Sequence, residues 1–153
     1  MNRHEYFMKI ALIEARLAYA EDEVPIGAVI TMGETVVARA HNGSISRNDP
    51  SAHAEMLAIR MASEVIKNYR LGGTTLYVTL EPCIMCAGAI IQARIPRLVF
   101  GARDTKGGAV VSLYKVLEDR RLNHYVDVTG DILGDKCAEI LSRFFGEKRV
   151  STP

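Results

Sequence analysis

The stretch "TTLYVTLEPCIMCAGAIIQAR", residues 74–94, decides how this chain folds. It opens as a β-rich run, TTLYVTL over 74–80, and at Glu81-Pro82 gives way to an apolar segment of helical length. Pro82 suits a helix opening: its ring presets φ, and the N–H it lacks is one that a first turn leaves unpaired anyway. Pro96 stops the helix, and "RLVFGA" (97–102) follows as a second strand. A strand, a helix and a strand in this order form a parallel pair with a right-handed crossover.

The alternation extends in both directions. Upstream, "DPSAHAEMLAIRMASEVI" (49–66) reads as a helix, with Asp49 as N-cap and Pro50 in the first helical position. Before it, "PIGAVIT" (25–31) and "TVVARAHN" (35–42) read as a hairpin turning at Gly33-Glu34, which gives the sheet an antiparallel edge. The first helix spans 3–20, with Phe7, Ile10, Ala11, Ile13, Leu17 and Ala18 at helical spacing. Downstream come a polar loop, "RDTKGGA" (103–109), a short helix over 111–118, a strand at "HYVDVTG" (124–130) and a last helix over 134–146. The final "KRVSTP" (148–153) reads as a fraying tail. Five strands in one mixed sheet with helices on both faces make a three-layer α/β/α sandwich, expected as a single domain over 1–153.

Composition narrows the function classes. Hydrophobic residues make up 48% and charged residues 24%, ordinary for a globular protein. The net charge of +1 leaves no bulk footprint for nucleic acid, so such a partner would need a local basic patch. No apolar run reaches the roughly 18 residues of a membrane span. The N-terminal stretch carries Glu5, Glu14 and Glu21 and reads as an amphipathic helix, not a leader, so the cytoplasm is the expected location.

Three cysteines, at 83, 86 and 137, are a poor disulfide framework. Cys137 lies on a helical pattern and reads as a small buried hydrophobe. The Cys83–Cys86 pair alone fits a redox couple, half of a zinc site, or coincidence. Pro82 puts both sulfurs in a helix's first turn, where unpaired N–H groups favour thiolate, but that suits redox and metal chemistry alike.

His53 and Glu55 tilt the balance. His53 also lies near a helix start, and parallel strands bring such starts together at one sheet edge. One imidazole and two thiolates are three ligands, which leaves a tetrahedral zinc one open position, the mark of a catalytic site. Glu55 is then the natural general acid and base. Positions i and i+2 diverge on a regular helix, so His53 and Glu55 share a pocket only if it wraps the helix end. Two other readings stay open. His4, His41 or His124 could close a structural zinc site, or the cysteines could form a thioredoxin-like dithiol, which leaves the HxE pattern without a role.

"HAE" (53–55) followed by "PCIMC" (82–86) resembles the signature of the zinc nucleobase deaminases. The flanks "DPSAHAE" and "TLEPCIMCAGAI", with "ARIPRLVFGARDTKGGA", "LNHYVDV" and Phe144-Phe145 followed by basic residues, resemble the bacterial tRNA-specific adenosine deaminases over essentially the whole chain. That resemblance implies a cytidine-deaminase-like fold, a homodimer and one Zn2+ per subunit. The implied reaction converts the wobble adenosine of a tRNA anticodon to inosine, with the arginine tRNA of anticodon ACG as substrate. By matching motif, His53, Cys83 and Cys86 would hold zinc and Glu55 would shuttle protons. Asn42 would hydrogen-bond the base or its ribose, and Asp104 and Asn123 would line the RNA pocket.

Read as residues alone, Asp104 is a loop cap and Asn123 a turn residue. Arg70, Arg103, Lys106, Lys148 and Arg149 are candidate phosphate contacts, and Phe144 and Phe145 offer one stacking face and one core anchor. Gly27 reads either as a place for a base to approach the backbone or as a packing glycine. PCxxC is shared with cytidine and guanine deaminases. The alternative is therefore a deaminase of free guanine or cytosine bases or nucleosides, with the same zinc and Glu55 but no need of a basic surface.

Overall fold

Five strands form one sheet in the order β2-β1-β3-β4-β5: β1 (Gly27–Met32), β2 (Thr35–His41), β3 (Thr74–Leu80), β4 (Arg97–Ala102) and β5 (Asp127–Thr129). β1 pairs antiparallel with both β2 and β3, whereas β3–β4 and β4–β5 are parallel. The computed structural model describes residues 1–151, the last of these by its backbone alone.

Side-chain alternation divides the core into two layers. Ala28, Ile30, Leu76, Val78, Leu98 and Phe100 face one way, onto α2 (Ala54–Ile66) and α3 (Ile84–Gln92). Val29, Tyr77 and Val99 face the other way, onto α1 (Arg3–Ala20) and onto Cys137 of α4 (Gly134–Ser151). The central strands are covered on both faces, which is why they read as continuous apolar runs. Each fully buried aliphatic side chain here contributes about 1.5–3 kcal/mol. The result is the expected three-layer α/β/α sandwich with a mixed five-stranded sheet.

Among the boundaries that differ from expectation, four have a clear physical reason. α2 begins at Ala54, not near Asp49, because the Asp49 carboxylate turns back on Ser51 and accepts from its N–H at 2.9 Å and its hydroxyl at 2.7 Å. Residues 111–118 form only a 3-10 turn at Val116–Glu118, since the N–H groups of Val110, Val111 and Ser112 are taken by the Glu81 carboxylate. β5 shortens to three residues at the sheet edge, where β4 is its one partner. α4 continues to Ser151 through residues expected to fray; Thr152 and Pro153 lie outside the described residues. Gly27 is a packing glycine, because a Cβ there would overlap the Ala11 carbonyl and the Ala15 nitrogen of α1.

Candidate metal centre and active site

The parallel arrangement of β3 and β4 sets α3 directly after the C-terminal end of β3. Cys83 is the N-cap of α3 and His53 the N-cap of α2, both with extended backbone and neither capping its own helix with its side chain. The two side chains are therefore free to meet. His53 Nδ1 lies 3.6 Å from the Sγ of Cys83 and 3.6 Å from the Sγ of Cys86. The three donor atoms lie within 4.8 Å of one another.

This spacing fits a zinc ion. A nitrogen about 2.0–2.1 Å and a sulfur about 2.3 Å from one tetrahedral ion lie about 3.6 Å apart. The histidines that might have closed the site are engaged elsewhere. His4 Nδ1 meets Tyr77 Oη, His41 bridges Glu14 and Glu21, and His124 donates to the Ile95 carbonyl. Among the described residues, His53, Cys83 and Cys86 form the one such cluster, so the reading with a fourth histidine finds no support. The three cysteines are free thiols.

Electrostatics suit a cation. The Cys83 thiol is held down to about 3, first by its hydrogen bond with Cys86 and, after burial has worked the other way, by His53. Cys86 moves upward, because Cys83 beside it and its own burial both oppose a second charge. His53 is raised, chiefly by its hydrogen bond with Cys83. An ion at this point displaces the protons of such donors.

Glu55, one residue into α2 from Ala54, is 4% exposed, and burial raises its carboxyl to about 7. A carboxyl with a pKa near neutrality can both take and return a proton. The helix end explains why His53 and Glu55 share a pocket: they flank the first helical residue rather than sitting mid-helix.

His53, Glu55 and Cys83 line a cavity of about 690 Å3. Asn42 lines it, 7% exposed, and its Oδ1 accepts from Ala54 N–H at 2.8 Å, so it caps α2 from outside the helix. Asp104 lines it too and is a loop cap as well, accepting from Lys106 and Gly107 N–H, both at 3.1 Å. Arg103, Lys106 and Arg149 reach its rim, Arg103 in a forked pair with Asp131. Phe145 lines the cavity while Phe144 is buried against Tyr19. Lys148 pairs with Asp22 instead.

Two candidates lie outside this cavity. Asn123 accepts from the Arg94 guanidinium at 2.8 Å, at the far end of α3 from Cys83. Arg70 sits on the surface against the Tyr69 ring. Sequence reasoning missed three buried carboxylates: Glu14, which is paired with Arg39 and His41, and Glu23 and Glu81, each 2% exposed and each holding a loop. For Glu81 the one signal was its position at the end of an otherwise apolar strand.

A family model for MafB19-like deaminases matches residues 1–149. The tRNA-specific adenosine deaminase of Agrobacterium fabrum is 49% identical over 150 residues, 98% of this chain and 99% of that protein. The chain belongs to the tRNA-specific adenosine deaminase family. A solved structure from a study of A-to-I editing by tRNA:A34 deaminases at the wobble position of transfer RNA matches with a TM-score of 0.86 and 50% identity, over 89% of this chain and 99% of that one. The guanine deaminase of Nitrosomonas europaea, 24% identical over 93% of this chain and 84% of its own with a TM-score of 0.82, shares the fold. As a member of the tRNA-specific adenosine deaminase family, the chain is an enzyme of deamination with the cytidine-deaminase-like fold. No helix among the described residues is long and apolar enough to cross a membrane.

Proposed function

We propose that this deaminase converts adenosine 34, the wobble base of the arginine tRNA with anticodon ACG, to inosine, using one zinc ion per subunit held by His53, Cys83 and Cys86. The observation that carries the reading is the 3.6 Å spacing of His53 Nδ1 from both sulfurs beside a buried Glu55 in one cavity. Zinc would supply Lewis-acid activation of water there.

The chain's own groups do the rest. Glu55 takes a proton from the attacking water and delivers it to N1 of the purine as the C–O bond forms at C6. It then takes the proton of the new C6 hydroxyl and passes it to the amine; the C–N bond breaks, ammonia leaves, and the C6 oxygen becomes the carbonyl of inosine. Asn42 holds the start of α2 and faces the base or its ribose. Asp104 lines the same cavity.

An anticodon loop is single-stranded, so splaying its base outward costs little. Arg103, Lys106 and Arg149 at the rim would take phosphates, and Phe145 offers a stacking face. Arg70 and Asn123 would contact RNA beyond the cavity. The chain would work as a single deaminase domain in the cytoplasm and as a homodimer. α2 exposes Met61 and Val65, α3 exposes Ile84, and Leu113 and Tyr114 are exposed ahead of the 3-10 turn, apolar side chains available to a second copy.

The test is incubation of the purified, metal-analysed protein with an ACG anticodon stem-loop, free adenosine, free guanine and free cytosine. Inosine in the stem-loop with one zinc per chain is the expected result. Turnover of free bases without editing of the stem-loop would favour the free-base deaminase instead.

A further inference from the structure

Glu81 sits between the last residue of β3 and Pro82-Cys83, yet it is 2% exposed. Its carboxylate is saturated with donors. One oxygen accepts from Asp104 N–H at 3.0 Å and from the Ser112 hydroxyl. The other accepts from three successive backbone N–H groups, Val110 at 3.1 Å, Val111 at 2.8 Å and Ser112 at 2.9 Å. Three successive N–H groups converging on one oxygen form an anion-binding concavity, here filled by the chain's own carboxylate. Backbone bonds reinforce the attachment, from Glu81 N–H to Ala102 O at 2.8 Å and from Ala109 N–H to Pro82 O at 2.9 Å. Gly108 lies against the carboxylate so closely that a Cβ there would overlap it.

The segment held in this way, 103–112, carries Asp104, Thr105 and Lys106, which wall the cavity. The residue that holds it is two positions from Cys83. We infer that Glu81 is a positioning residue: it keeps the substrate-facing loop in fixed register with the turn that carries Cys83, and so sets how firmly the cavity holds its substrate. It touches no reacting atom, because its oxygens are already occupied. A neutral amide cannot replace it. Glu81→Gln turns an NH2 group toward N–H donors on one side or the other, leaving them buried without an acceptor.

The test compares Glu81→Gln with the wild type, both loaded with zinc. Hydrogen exchange should be at least about tenfold faster at the amides of Asp104, Val110, Val111 and Ser112 in the variant. Zinc content should stay at one per chain. KM for the anticodon stem-loop should rise about tenfold while kcat stays within about threefold, the pattern of lost uniform binding. A merely structural role would lower the melting temperature and leave KM of the folded, zinc-loaded fraction unchanged.

Gly108→Ala provides a second route, displacing the carboxylate without removing its charge, and should give the same amide exposure and the same rise in KM. Unchanged protection at the four amides, or an unchanged KM in both variants, would overturn the inference. The KM arm rests on the proposed substrate and the exchange arm does not. A wild type that leaves the stem-loop unedited would sink the proposed function, while exchange would still decide whether Glu81 anchors the loop.

Discussion

α2 and α3 begin alike and are held differently. Each starts on a donor residue in extended conformation, His53 at φ −76°, ψ 153° and Cys83 at φ −75°, ψ 177°. At the start of α3, Pro82 precedes Cys83, and Glu81 ties that turn to Asp104 and residues 110–112, 23 to 31 residues further on. The start of α2 is fixed from a distance by Asn42, twelve residues earlier, whose Oδ1 accepts from Ala54 N–H. One half of the candidate centre therefore anchors a distant segment, and the other is anchored by one. The imidazole half should respond to changes at Asn42, and loop 103–112 to changes at Glu81 beside the thiolates.

The sharpest break is on the thiolate half. Cys86→Ala removes one of three donors, so bound zinc and inosine formation should both fall below detection by elemental analysis and a stem-loop assay. Glu55→Ala separates chemistry from metal holding on α2: zinc should stay, while turnover falls about 10²-fold or more. Normal turnover in a zinc-replete Glu55→Ala protein would remove Glu55 from its role.

Asn42→Ala attacks the imidazole half. Loss of the cap should cost about 0.5–2 kcal/mol in urea unfolding. The loosened His53 should weaken zinc about 10–100-fold in a chelator competition. Wild-type zinc affinity in that variant would erase the distinction between the two helix starts.

A smaller effect concerns Glu23, which holds the loop before α2 through the N–H groups of Ile45 and Ser46. Burial works to raise its pKa, but the hydrogen bonds from Ser46 and Ile45 outweigh it, so the carboxyl titrates below its ordinary 4.5. A carboxylate with a lowered folded-state pKa contributes stability above its unfolded value, and that stability is lost as pH falls through the folded one. The urea midpoint should therefore drop more steeply below about pH 4.5 in the wild type than in Glu23→Gln. Smallest of all, Arg149→Ala should lower the salt slope of stem-loop binding by about 1.

Much of this was legible in the residues. The apolar run of β3, the proline opening α3 and the hairpin before α2 are local signals, and β3 and β4 fall where they were read. The donor set was legible for the same reason, since Cys83 and Cys86 announce themselves by spacing. The start of α2 was not. Asp49 and Pro50 look like a cap and a first turn, and only the fold reveals that Ser51 takes the Asp49 carboxylate while Asn42 caps Ala54. Glu81 was hidden in the same way: an acid beside a proline looks solvated until 103–112 folds around it. Asn123, matched to a pocket, accepts from Arg94 outside the cavity that His53 lines.

The central claim is that one imidazole and two thiolates share one ion beside Glu55. X-ray absorption on the zinc-loaded, editing-competent protein tests it most directly. The expected first shell has two sulfurs at about 2.3 Å, one nitrogen at about 2.0–2.1 Å and one further light atom not supplied by the protein. Full activity without stoichiometric zinc, or a first shell closed by four protein ligands, would contradict the account.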